Sequence, residues 1–282
     1  MSMSGLKLGL GFTLPGDTAP FGRTAAWMQE RGFSGVMLGP DPAWSDEQTA
    51  RVGETFATHR LAVFEVGAYT SLIHGDPAIR RRNIDTVKRK IAQAVILGST
   101  CVATTSGTAM DLGPHPATRT RQGWDMLLDA TAEILASAPA DMRFCMEAWP
   151  PTVLYDIPTF QRFYAEANDA RLGMVFDPAN LVTTDNYFQT GIMIDETFNA
   201  LGDRFVVAHC KDIEWVADYS QTALKEVVPG RGSLDYATFL RRTAASGREM
   251  PLIIEHLSSP ADVEEALTYI RRQAEECGLT VG

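Results

Sequence analysis

The sequence predicts one domain over residues 1–282, folded as a single (β/α)8 TIM barrel. Three observations carry that expectation. Eight short β-type runs alternate with eight amphipathic stretches along the chain. The later runs contain MVF, FVVA and PLII, continuous apolar stretches of the kind parallel strands need when both faces are buried. The turn after the first run, GFTLPGDT (11–18), is not the GxGxxG of an open, doubly wound sheet.

Each element follows from its own residues. LKLGLGF (6–12) alternates and reads as the first strand. A helix over 21–32 ends at Gly32, and SGVML (34–38) is the second strand. Ser45 can cap a helix over 46–58, with Asp46 and Glu47 favourable in its first turn. LAVFEV (61–66) is the third strand. Residues 77–98 place Ile84, Val87, Ile91, Ala94 and Val95 on one helical face before Gly98. STCVATT (99–105) and a helix over 118–138 follow. MRFCME (142–147), LGMVFD (172–177), RFVVAHC (204–210) and PLIIEH (251–256) are the remaining strands. Helices fit at 158–167, 193–201, 235–246 and 260–277. The steps are regular except at 211–232, which reads as an elaborated loop over the active face.

Composition narrows the function. A hydrophobic fraction of 45% with 21% charged residues excludes a disordered chain. The formal charge of −10 disfavours nucleic acid and anionic lipid as partners. No apolar run is long enough to span a membrane, and the N-terminus reads as a strand rather than a signal peptide. Four cysteines without a CxxC pair fit a reducing cytoplasm.

The last four strands each end in a potential metal ligand: Glu147, Asp177, His209 and Glu255, spaced 30, 32 and 46 residues apart. Strand alternation lets all four point to the axis while Phe144, Phe176, Cys210, Ile254 and His256 point to the helices. Strand C-terminal ends converge on one mouth in a barrel. Three carboxylates and an imidazole gathered there call for one divalent cation. The oxygen-rich set with one nitrogen suits Mn²⁺, Mg²⁺, Co²⁺ or Zn²⁺.

The pattern ME–FD–HCKD–IEH resembles the xylose isomerase-like TIM barrel superfamily of sugar isomerases, epimerases and related lyases. VPGRGSLDYATFL (228–240) and RRRNIDTVKRKIAQAVILGS (80–99) are similar to that superfamily's segments as well. The resemblance implies Glu147, Asp177, His209 and Glu255 as ligands of a single ion, and Glu147 and Glu255 as the catalytic proton-transfer pair. It implies a metal-dependent isomerase or 3-epimerase of a sugar-like hydroxy-carbonyl substrate. A lyase, such as a keto-inositol dehydratase or a 3-keto-glycoside eliminating enzyme, shares the first half-reaction, and a non-catalytic sugar-binding barrel is the reading from another class. Asn180, Val153 and Trp215 stand where many ketohexose 3-epimerases carry histidine, glutamate and arginine, which points away from a free ketohexose.

Other residues are substrate-binding candidates. Lys211 returns to the face of His209, Asn180 follows Asp177, and Arg231 lies between two glycines. Trp149 can wall the pocket, and His115 sits in the loop after the fourth strand. The insertion at 213–228 is expected to wall or cover the mouth through Trp215, Tyr219 and Leu224, with Glu214, Asp218 and Glu226 solvated. The implied partner is a small carbohydrate, with a homo-oligomer left open.

Overall fold

A computed structural model describes residues 5–12, 21–110, 113–217, 221–257 and 259–282. Its centre is a closed parallel barrel. The strands are β1 (Leu8–Phe12), β2 (Gly35–Leu38), β3 (Ala62–Gly67), β4 (Cys101–Thr105), β5 (Arg143–Glu147), β6 (Leu172–Phe176), β7 (Phe205–Cys210) and β8 (Leu252–Ile254), each paired with the next, and β8 pairs back onto β1. Eight helices form the outer layer: α1 (Phe21–Glu30), α2 (Asp46–Thr58), α3 (Pro77–Ile96), α4 (Arg121–Ser137), α5 (Ile157–Ala167), α6 (Thr190–Leu201), α7 (Tyr236–Ala245) and α8 (Pro260–Glu276). The expected order is therefore observed, with element ends displaced by up to three residues. No helix among the described residues is long and apolar enough to cross a membrane.

Capping explains several boundaries. Ser45 accepts from Gln48 N while the Gln48 side chain binds back to Ser45 N, which fixes the start of α2. Asp76 caps α3 ahead of Pro77, and Asp156 caps α5. Gly98, at φ +72, lets the chain leave α3 in a left-handed turn that a side chain would resist.

Two apolar layers result. Outward strand residues such as Phe144, Phe176 and Ile254 join the helices in one large core. Inside the barrel, Cys101, Ala103, Cys145, Val175, Val207 and Ile253 form a small second core with Met37, Phe64 and Val206 packed on it. This matches the alternation expected from the positions of Glu147, Asp177 and Glu255.

Two register shifts place the extra interior residues. Between β2 and β3, Val36 faces Val63 while Met37 faces Glu65, so Phe64 is an added residue that turns inward. Between β6 and β7, Met174 faces Phe205 and Val175 faces Val207, which makes Val206 the added residue. The Phe64 ring has room because glycine stands beside it. A Cβ at Gly35 would lie 2.3 Å from the ring, and one at Gly9 would lie 3.0 Å from it.

The segment after β7 is more ordered than a loop. Residues Asp212–Ala217 and Thr222–Val227 form an antiparallel hairpin outside the barrel. Gly5–Leu6 and Thr280–Val281 pair as a short parallel ribbon.

Substituting Gly35→Ala should destabilise the protein by about 1–3 kcal/mol through overpacking. Adding Phe64→Leu should recover most of that loss. Urea denaturation of the single and double variants measures the coupling, and additive losses would show that the ring is not the obstacle.

Candidate metal and substrate site

Glu147 ends β5, Asp177 follows β6, His209 lies within β7 and Glu255 follows β8. One ligand atom from each lies within 4.8 Å of the others. Asp177 and His209 are fully buried, while Glu147 and Glu255 retain slight exposure. The backbone fixes these groups. Asp177 Oδ1 accepts from the amides of Ala179 and Asn180, so the turn after β6 holds its carboxylate. Asn180 Nδ2 donates to Glu147 Oε1 at 2.7 Å.

His209 meets a residue that the sequence reading passed over. Its Nε2 lies 3.1 Å from Glu65 Oε2, and Glu65, on β3, is fully buried. Tyr69 donates its hydroxyl to the other Glu65 oxygen at 3.1 Å. Glu65 thus holds one side of the ring while Nδ1 turns to Glu147 and Glu255, at 3.8 and 2.8 Å. This is the arrangement in which a carboxylate orients an imidazole ligand. The signal existed in the sequence as an acid inside LAVFEV, but the inserted Phe64 hides the alternation that would have aimed it inward.

Lys211 is the cation buried with these acids. Its Nζ lies 2.7 Å from Glu255 Oε1, 2.9 Å from Asp177 Oδ2, and 3.8 Å from both Glu147 and Glu226. Burial disfavours its charge, yet Asp177, Glu147 and Glu255 outweigh burial and hold it protonated far above the ordinary range. Burial pushes Asp177 up to about 6 against Lys211's attraction. Glu255 is driven the other way, because His209 and Lys211 overcome its burial. Burial opposes a charged His209, but Glu255, Glu65 and Glu147 raise its pKa well above the usual value. Burial also raises Glu65, so the two partners compete for one proton. A ligand at Nδ1 settles that competition: Nδ1 must then be bare, and Nε2 carries the proton toward Glu65.

These groups fit a divalent cation. Asp177 Oδ2 and His209 Nδ1 are buried and lack hydrogen-bond partners; their ionic neighbours are near but misaligned. Lys211 and a protonated His209 together offset two of the four carboxylates of Glu65, Glu147, Asp177 and Glu255. An ion held by the last three and His209 would satisfy the orphaned atoms and most of the remaining charge.

Above the cluster is a cavity of about 420 Å³. Glu147, Glu255, Lys211, Asn180 and Trp149 line it; Asp177 and His209 do not. Tyr69, Ser71, Arg82, Asn83 and Thr108 also line it. Glu226, from the hairpin, reaches the cavity and binds His256 Nδ1 at 3.1 Å.

Several expectations change. His256 does not face a helix: its backbone adopts φ +59, which breaks the strand's alternation and brings the ring to the mouth. Arg231 does not line the cavity; it pairs with Asp262 and Glu265 on α8. The cause is local. Buried Asp212 accepts the amides of Ile213, Gly230, Gly232 and Leu234, and a Cβ at Gly232 would lie 2.3 Å from its carboxylate. The glycines of PGRG therefore serve that knot, and Arg231 is turned outward. His115 is exposed, with Nδ1 accepting from Ala117 N, away from the cavity lining. Trp215 is not among the residues lining the cavity. It packs against Tyr187 and Phe188. Leu224 packs on the outer core, and Asp218 and Tyr219 lie outside the described residues.

A family model described as xylose isomerase-like TIM barrel matches residues 25–273. No curated protein sequence matches the chain. Among solved structures, a xylose isomerase-like TIM barrel protein from Mycobacterium smegmatis in complex with magnesium is 17% identical, with TM-score 0.70 and 96% of each chain covered. The probable 3-DHS dehydratase AsbF of Bacillus anthracis is 16% identical, with TM-score 0.71, covering 94% of this chain and 97% of its own. An L-ribulose 3-epimerase is 18% identical, with TM-score 0.70 and coverage of 96% and 97% respectively. At these identities the likeness is one of fold.

Glu65→Gln should weaken divalent-ion affinity about 10–100-fold, because the amide no longer orients His209 as a carboxylate does. Competition with a fluorescent chelator reads this directly. Unchanged affinity would reduce Glu65 to a packing role.

Proposed function

The chain belongs to the xylose isomerase-like TIM barrel family, and from that premise we propose that it is a divalent-metal-dependent isomerase or 3-epimerase acting on a sugar-like hydroxy-carbonyl compound. One observation carries the reading. Of the four clustered ligand residues, Glu147 and Glu255 line the cavity, whereas Asp177 and His209 are sealed beneath it. Two carboxylates thus face a substrate while the other two groups only hold the ion.

We assign the ion as Mn²⁺, with Mg²⁺, Co²⁺ or Zn²⁺ as alternatives for the same donors. When bound, it polarises the substrate carbonyl and lowers the cost of negative charge beside it. The protein's residues do the rest. Glu147, steadied by Asn180, takes the proton from the carbon next to the carbonyl; the C–H electron pair becomes a C=C bond and the carbonyl π pair moves onto oxygen to give the enediolate. For inversion Glu255 must enter the step carrying a proton, which it delivers to the opposite face of that carbon; Glu147 is left protonated, and exchange of both carboxyls with solvent resets the pair. Return to the neighbouring carbon instead would interconvert aldose and ketose. Lys211 lies between the acids and offers its ammonium to the developing oxyanion. Trp149 gives the cavity a broad apolar wall suited to a sugar ring's C–H face.

The neighbours include an enzyme named an L-ribulose 3-epimerase and a probable dehydratase, consistent with proton abstraction as a shared first step. Keto-sugars incubated with the Mn²⁺-loaded chain in D₂O should exchange the proton next to the carbonyl, read by NMR. A binding protein gives no exchange. A lyase gives a product lighter by water or by an aglycone.

Two substitutions separate the roles. Asp177→Asn should mainly weaken ion affinity, and excess Mn²⁺ should restore turnover. Glu147→Gln should lose turnover by about 10²–10⁴-fold even when saturated with ion, since a proton acceptor is gone. Equal rescue of both variants would remove Glu147 from proton transfer.

A further inference from the structure

The two ends of the cavity differ in chemistry. Its floor holds Glu147, Glu255 and Lys211, with Glu226 and His256 at one side. The closed strand order sets β3 and β4 across the barrel mouth from β7 and β8, and on that side the lining comprises Ser71 and Thr108, from the loops after β3 and β4, and Ile79, Arg82 and Asn83 from the first turns of α3. The cavity volume of about 420 Å³ is that of a small-molecule site.

Arg82 closes a run of three arginines, and its neighbours are engaged. Arg80 donates to the His74 carbonyl at 2.6 Å. Arg81 binds Glu133 at 2.6 Å and Asp85 at 3.1 Å. Arg82 is exposed on the cavity wall and has no hydrogen bond or ion pair among the described residues. Asp76 feels its charge, but that carboxylate is engaged with the amides of Ala78 and Ile79. The nearby hydroxyls are engaged too: Ser71 donates to Thr108 O at 2.6 Å and Thr108 to Met110 O at 2.7 Å. Asn83 Nδ2 donates to Ser71 O. The guanidinium is therefore the unengaged cationic donor of this end.

The floor would repel an anion that approached without its own cation. A negative group on the substrate is best placed at the far end, where the guanidinium can bind it with two parallel hydrogen bonds. We propose that Arg82 forms an anion subsite and that the substrate is an anionic sugar derivative, with a carboxylate or phosphate remote from its reacting carbonyl. The proposal rests on the proton-transfer reading given above for the same cavity.

Isothermal titration of inorganic phosphate and of malonate into the Mn²⁺-loaded full chain tests the subsite without turnover. Wild type should bind at least one of them. Arg82→Gln should bind it about ten- to a hundredfold more weakly, and Arg82→Lys should keep part of the affinity. Equal binding by wild type and Arg82→Gln, or no binding by either, overturns the subsite. Exchange in D₂O with a neutral ketose, its terminal phosphate and the matching ketoaldonic acid then identifies the anion. The preferred one should show a lower KM that Arg82→Gln abolishes. A neutral ketose handled as well as both anions, with the same KM in the variant, also overturns it. If no sugar exchanges while Arg82-dependent anion binding persists, the reaction assignment falls and the subsite stands.

Discussion

Like charges gathered out of water are the constraint on which this structure turns. Glu65, Glu147, Asp177 and Glu255 meet around His209, buried or nearly so, with the Lys211 ammonium among them. Such a group of acids is costly in a low-dielectric interior unless cations and aligned donors offset it. The surrounding architecture supplies that compensation piece by piece. Backbone amides hold Asp177, Asn180 holds Glu147, and Tyr69 and His209 hold Glu65. Closure of the barrel turns four strand ends that are distant in sequence into one coordination volume.

The barrel interior is divided accordingly. Small and apolar side chains fill its lower part, with Phe64 placed over glycines of β1 and β2. The buried acids, His209 and Lys211 gather at the strand C-terminal ends, where the cavity opens. This keeps the expensive charges near the open cavity, and leaves the packed layer to carry stability.

Much of this was readable from residues in order. An acid or histidine at the end of an apolar strand is anomalous, and four in succession pointed to the cluster that Glu147, Asp177, His209 and Glu255 form. The strand–helix rhythm located the barrel. What escaped the reading did so for identifiable reasons. Period-two reasoning fails where the backbone breaks its own period: a bulge residue before Glu65, and a left-handed φ at His256. Arg231 looked like a ligand-facing residue because glycines flank it, yet those glycines serve the amide knot around Asp212. The hairpin was read as loop because its strands lie outside the barrel and are half exposed, so they lack an apolar signature.

That knot bears on how such a barrel diversifies. Asp212 fastens the chain where the hairpin leaves β7 and again where it returns, at Gly230, Gly232 and Leu234. Both roots are pinned by one carboxylate, one residue beyond Lys211. Insertions, deletions or new side chains in the excursion between them need not be transmitted to the strand that carries His209. An evolving lineage can thus rewrite the hairpin as a replaceable cassette while the buried acid–histidine cluster stays fixed.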